Sequence, residues 1–394
     1  MKKKFAVLTA LTLSFSMILS GCSLGKDDSK EATEYINDEN VDASDDASQD
    51  ISSNIIVADS LEEPDYNDPT AGASVEVTET PQEENPVDDN LVMVFFGDSQ
   101  MANGRGDGTD IPTLVGQRVP NATVYNLGIG GTTAAFKRTS AGYLDYENWT
   151  DNCFLGMTYC LSGQVDRNKV LAESYPDVLN TMNQIDPSQV DYYFIEYGFN
   201  DFMMKTPLDI NDPDGNPTDL PQEYTFYGSL SYGISVLKRI SPQAKFVMIY
   251  PFYGIYKDGN GAYLGDSFVV SNGIGTLANY ADKMGNVAGD QGTYIFDGMY
   301  HTKCDLYVDT QEQYLQDTVH LTETGRRIMA RLIAHIPNGV EGYEPTAYRD
   351  GDFIKIAEFN PDETYRMDPA TLKEHFSDQY DKYINGDYIL AQPQ

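Results

Sequence analysis

The chain has 394 residues, with 61 Asp and Glu against 26 Lys and Arg and a formal net charge of −35. So acidic a balance argues against binding to nucleic acid and against docking on anionic lipid. Four cysteines and four histidines are present, and no two cysteines have the Cys-x-x-Cys spacing of a structural zinc site, so no metal is expected.

The N-terminus reads as an address. Lys2, Lys3 and Lys4 form a positive stretch, and Phe5 to Leu19 is an apolar run too short to span a bilayer comfortably. The run closes in Leu19-Ser20-Gly21-Cys22, which resembles a bacterial lipobox. Residues 1–21 are therefore expected to be a lipoprotein signal peptide, with Cys22 carrying a lipid that holds the chain on an outward membrane face. Residues 22–90 follow as a spacer rich in Asp, Glu, Ser and Asn. Positions 23–90 hold 21 acidic residues against Lys26 and Lys30, a net of −19. With so little to bury, this segment is expected to be a disordered, self-repelling tether, spanning roughly 45 Å even as a neutral coil.

From Leu91 strands alternate with helical stretches. Leu91 to Phe96 is a continuous apolar run, the mark of a strand buried on both faces. Ala122 to Leu127, Val190 to Tyr197, Ala244 to Tyr250 and Thr293 to Phe296 are the other strands. Helices are expected near 110–119, 167–186, 224–240 and 273–287, and over Glu323 to His335 with Thr322 as cap. This alternation predicts right-handed crossovers and one parallel sheet with helices on both faces, in a domain over 91–336. Two polar insertions interrupt it: residues 140–166, and residues 205–221 with Asp209, Asp212, Asp214 and Asp219. The acidic spacing of the second does not fit the EF-hand register, which favours a surface turn over a calcium loop. An exported chain permits a disulfide, Cys153–Cys160 or one of these with Cys304, while an odd count leaves one thiol unpaired. Residues 337–394 form an acidic, Tyr-rich tail. In it Asp368-Pro369 reads as a helix start, Leu372, Phe376 and Tyr380 as one apolar stripe, and Gly386 as a stop. One helix packing back on the domain is expected.

Four short blocks carry the chemistry: Gly97-Asp98-Ser99, Asn126 to Gly131, Gly198-Phe199-Asn200-Asp201 and Asp317-Thr318-Val319-His320. Each follows a strand or precedes a helix, and in a parallel sheet the carboxyl ends of the strands form the binding crevice. Ser99 is the candidate nucleophile and needs a base to take its proton. His320 is that base, and Asp317, three residues earlier, can meet its other ring nitrogen and fix the tautomer. The N–H groups of Ser99 and Gly131 and the carboxamide of Asn200 are candidate oxyanion donors. Asp98 and Asp201 read as structural hydrogen-bonders. His335 and His375 read as packed or solvated, and His301 as a residue that could line the crevice.

These blocks resemble those of the SGNH hydrolases of the GDSL esterase and lipase superfamily, over about 91–336. The resemblance implies a three-layer α/β/α sandwich around a flavodoxin-like five-stranded parallel sheet. It also implies Ser99 as nucleophile, His320 as base with Asp317, and Gly131 and Asn200 as oxyanion donors, with no cofactor. Two departures stand out: Gly104 lies one position later than usual, and Thr132 follows Gly131 where many members have aspartate. The expected activity is that of a cell-surface serine esterase acting on short acyl groups, acetyl above all, on carbohydrate. With 28 tyrosines against one tryptophan, Tyr143, Tyr146, Tyr159, Tyr253, Tyr256 and Tyr263 in predicted loops could stack on sugar rings or simply seal the core. A lipase or lysophospholipase would want a long apolar lid, which neither insertion offers. An acyltransferase using the same residues, and a glycan-binding protein without turnover, are the remaining alternatives.

Overall fold

The five expected strands become five parallel strands in a computed structural model that describes residues 90–137, 142–211, 215–360 and 369–387. The leader, Cys22 and the acidic spacer lie outside the described residues. In chain order the strands are β1 (Leu91–Gly97), β2 (Ala122–Asn126), β3 (Tyr192–Glu196), β4 (Lys245–Ile249), a short antiparallel pair β5 (Ile255–Lys257) and β6 (Tyr263–Asp266), and β7 (Tyr294–Phe296). The main sheet has the order β2-β1-β3-β4-β7, every pairing parallel. With the small pair set aside this is the doubly wound 2-1-3-4-5 order, in which the chain leaves β1 to one side and returns to β3 on the other. The crevice opened by that reversal lies at the carboxyl ends of β1 and β3, directly ahead of Ser99 and Asn200.

The central strands are apolar on both faces because helices cover both. Met93 to Phe96 and Tyr192 to Ile195 have no exposed surface, and Phe95 stacks on Phe194 with ring centroids 4.2 Å apart. The covering helices start on side-chain caps: Asp110 for Ile111–Gly116, Thr225 for Phe226–Ile240, Thr276 with Asn279 as a capping box for Leu277–Gln291, and Thr322 for Glu323–Val340.

Several boundaries differ from the sequence reading. The stretch expected as one helix over 167–186 is two, Arg167–Leu171 and Pro176–Met182, because Pro176 lacks the N–H that would continue the first. The insertion at 140–166 contains a buried helix, Phe154–Ser162, whose residues Phe154 to Leu161 are all inside the core. The helix expected to stop at His335 runs through Pro337 to Val340, so position 336 falls within a helix. All three described cysteines are free and buried. Cys153 caps the Phe154–Ser162 helix and Cys160 lies seven residues along it, about 10 Å by helical rise, beyond disulfide reach.

Instead of one tail helix there are two short ones, Pro369–His375 and Ser377–Ile384, which break at Phe376 and pack on an earlier part of the same tail. The Phe376 ring packs on Tyr348 and over Gly351. The expected cap at Asp368 lies outside the described residues. A buried ionic cluster ties the start of this segment to the domain. His335 Nε2 meets Asp352 Oδ2 at 2.8 Å, its Nδ1 meets Glu344, and Arg331 Nε reaches Asp352 at 3.2 Å. Burial pulls the His335 pKa down, but the two carboxylates outweigh it and hold it above the ordinary 6.5. Because the folded value is raised, the stabilisation from His335 protonation is complete below pH 6.5 and fades as pH climbs through the folded pKa. Removing one partner of a buried ionic cluster costs about 3–5 kcal/mol. His335→Ala is therefore expected to lower unfolding free energy by that amount in urea titrations, most of all under mildly acidic conditions.

Candidate active site

Ser99 is the first residue of a four-residue helix, Ser99–Ala102, that begins as β1 ends. Asp98 caps it, accepting the Gln100 N–H at 2.9 Å. Gln100 in turn donates its side-chain Nε2–H to the Val319 carbonyl at 2.7 Å, which ties the nucleophile's turn to a loop 219 residues away. That loop is held from three sides. Gln316 N–H donates to the His320 carbonyl at 2.9 Å and Thr322 N–H to the Tyr314 carbonyl at 2.7 Å, which pinches residues 314–322 into a tight loop. Ile255 N–H at the start of β5 donates to the Thr318 carbonyl at 3.0 Å. Arg326 clamps the Leu321 and Thr109 carbonyls at 3.0 and 2.7 Å.

The outcome is a continuous chain of side chains. Ser99 Oγ lies 2.7 Å from His320 Nε2, and His320 Nδ1 lies 2.7 Å from Asp317 Oδ2. Asp317 Oδ1 also accepts the backbone N–H groups of His320 and Val319, at 2.8 and 2.9 Å, so the carboxylate is oriented by its own loop. Burial pushes the Asp317 pKa up, but the hydrogen bonds from the His320 ring and those two amides outweigh it and hold it below the ordinary 3.8. The bond to Asp317 raises His320 above 6.5, against the opposing effect of burial. An ionised Asp317 at Nδ1 leaves Nε2 to accept the serine proton, the arrangement a general base requires.

The expected oxyanion donors gather around the same serine. Ile129 N–H donates to the Gly97 carbonyl at 2.9 Å, and Gly130 packs against Ser99, so Gly131 follows beside the nucleophile. Gly131 has φ +77°, where a side chain would strain the turn, and its N–H has no partner among the described residues. Asn200 donates one carboxamide N–H to Asp98 Oδ2 at 2.9 Å, which leaves the second available. Gly198 before it takes φ +134°, closed to ordinary residues, as β3 turns into the helix Phe199–Met203. Asp98 and Asp201 are structural hydrogen-bonders, as read. Asp201 accepts the Ala134 and Ala135 N–H groups at 2.8 and 3.3 Å and so ties the Gly131 loop to β3, while burial pushes its pKa up to about 7.

The other candidate residues divide between the core and the surface. Tyr159, Tyr253 and Tyr256 are buried in the core and cannot stack on a ligand, because the segments around them close over the sheet. Tyr143 and Tyr146 pack partly buried against the core, and Tyr263 is exposed. His301, at φ +59°, packs its ring among Tyr253, Phe268 and Tyr307. His335 is the buried ionic residue described above, and His375 is exposed. Within the second insertion Asp209 pairs with Lys283 at 3.0 Å, while Asp212 and Asp214 lie outside the described residues. Sequence reasoning passed over Gln100 and Glu196. The available signal for Glu196 was a lone carboxyl inside an otherwise apolar strand.

The sequence pattern of the GDSL-like lipase/acylhydrolase family matches residues 93–333. Solved structures similar to this chain include one described as a possible lipase from Chitinophaga pinensis, at 17% identity over 64% of this chain and 99% of that one, TM-score 0.42. A protein from Lactobacillus plantarum matches at 18% identity over 64% and 97%, TM-score 0.41. A lipase/acylhydrolase from Enterococcus faecalis matches at 15% over 64% and 96%, TM-score 0.34. No curated protein matches at a significant level.

Proposed function

Because this chain belongs to the GDSL-like lipase/acylhydrolase family and is on that ground a carboxylic ester hydrolase, we propose that it is a cell-surface serine esterase removing short acyl groups, acetyl above all, from carbohydrate. The observation that carries the mechanism is the unbroken contact chain Ser99–His320–Asp317. Ser99 Oγ attacks the ester carbonyl as His320 Nε2 takes its proton. The tetrahedral anion is held by the N–H groups of Ser99 and Gly131 and the free N–H of Asn200. His320 then protonates the leaving alcohol. Water, deprotonated by the same imidazole, releases the acid and restores Ser99. Asp317 stabilises the imidazolium in both halves.

Two features support the substrate half of the reading. Phe268, Tyr300 and Tyr307, each 37% exposed, cluster around His301 on loops beside the segment that bonds Thr318, and offer ring faces to a sugar. Asp266 lies next to them as a hydroxyl acceptor, already accepting from the Tyr253 hydroxyl at 3.0 Å. Display outside the cell rests on Lys2 to Lys4, the apolar run and Cys22 as lipid attachment, with 22–90 as the tether. No helix among the described residues is long and apolar enough to cross a membrane. Acetate release from acetylated xylan, set against a series of p-nitrophenyl esters of rising chain length, tests the proposal. We expect acetyl esters to be preferred; preference for long chains would overturn the carbohydrate reading in favour of a lipase.

A further inference from the structure

Glu196 is the last residue of β3, has no exposed surface, and has no hydrogen-bond partner at either carboxyl oxygen among the described residues. It pairs in register with Gly97, so its carboxyl lies beside Asp98, facing both the side chain and the backbone N–H of that residue. Asp98 is itself buried, 1% exposed, and Asp201 and Tyr197 complete the surroundings, with the His320 ring beyond Asp98. Two adjacent buried carboxylates cannot both be ionised. Which one keeps the proton follows from their partners. Asp98 receives N–H bonds from Gln100 and Asn200, which favour its anion. Glu196 has only the backbone N–H of Asp98 facing it, and no side-chain N–H donor.

We propose that Glu196 is a positioning residue: as the neutral acid it donates its proton toward Asp98, completing the set of donors that holds the Asp98 carboxylate, and through it Asn200 and the Ser99 turn, in place. Burial and the neighbouring Asp98 push the Glu196 pKa upward, the direction that favours the neutral acid. A carboxyl kept neutral by its site is a competent donor, and the pair then carries one negative charge and titrates as a unit. Asn200 is anchored on Asp98, so loosening Asp98 moves an oxyanion donor, and displacements near 1 Å at such a site cost about 100-fold in rate. The inference rests on the esterase reading above.

Glu196→Gln and Glu196→Leu separate positioning from packing. With acetyl ester as substrate, Glu196→Leu is expected to lower kcat about 100-fold with KM little changed. Glu196→Gln, which keeps an N–H donor, is expected to recover kcat to within about tenfold of the natural protein. Infrared difference spectra at neutral pH are expected to show a protonated-carboxyl band that Glu196→Gln removes. A leucine variant as active as the glutamine variant, or no such band, overturns the proposal. If the leucine variant does not fold, the glutamine variant and the band decide. Absence of ester turnover in the natural protein would defeat the esterase reading instead, and the band would still report on Glu196.

Discussion

Ser99→Ala is expected to lower kcat/KM for acetyl ester hydrolysis by roughly 10⁴ to 10⁶, leaving the fold intact. The side chain is small and sits at a helix start whose cap is Asp98, so its removal breaks no core contact and leaves the Gln100–Val319 tie standing. What is lost is the only hydroxyl within reach of His320 Nε2, at 2.7 Å among the described residues. The remaining oxyanion donors still bind a carbonyl, so a residual rate above that of water is expected. Steady-state kinetics with a matched thermal unfolding curve check this. Turnover within tenfold of the natural protein would mean that Ser99 does not form the covalent bond.

Asp317→Asn carries the second large effect, a fall of kcat/KM on the order of 10³ to 10⁴, together with a displaced pH profile. His320 must be neutral to accept the serine proton. Its pKa is raised mainly by the bond to Asp317, so activity in the natural protein falls as pH drops through a value above 6.5. Removing the carboxylate charge takes away that support, and the acid limb is expected to move to lower pH while the plateau falls. The asparagine can also present its N–H₂ to Nδ1 and select the wrong tautomer, which is why the plateau falls further than the lost charge alone explains. An unchanged acid limb in Asp317→Asn would show that another group sets the profile.

The central strands were legible because strands buried on both faces are continuous apolar runs; Leu91–Gly97 and Tyr192–Glu196 needed no pattern finer than that. The site was legible for a related reason. Ser99, Gly131, Asn200 and His320 follow strands or precede a helix, and the doubly wound order brings such ends to one crevice. What stayed hidden lacked a periodic signal. The helix Phe154–Ser162 is apolar on every side, so it shows no amphipathic stripe, and its polar flanks suggested a loop. β5 and β6, three and four residues long, are too short to alternate recognisably. For Tyr253 and Tyr256, which the sequence left open between stacking on a sugar and sealing the core, burial decides for the core. Glu196 was absorbed into a strand by its apolar neighbours. Its importance lies in a contact with Asp98 that depends on strand register.

The most direct measurement is covalent: react the protein with a fluorophosphonate ester and locate the adduct by mass spectrometry of its peptides. The account predicts one phosphonyl group per chain, on Ser99, formed in step with the loss of esterase activity and suppressed in His320→Ala. A stoichiometric adduct on any other residue, or full ester turnover by protein labelled at Ser99, would contradict it.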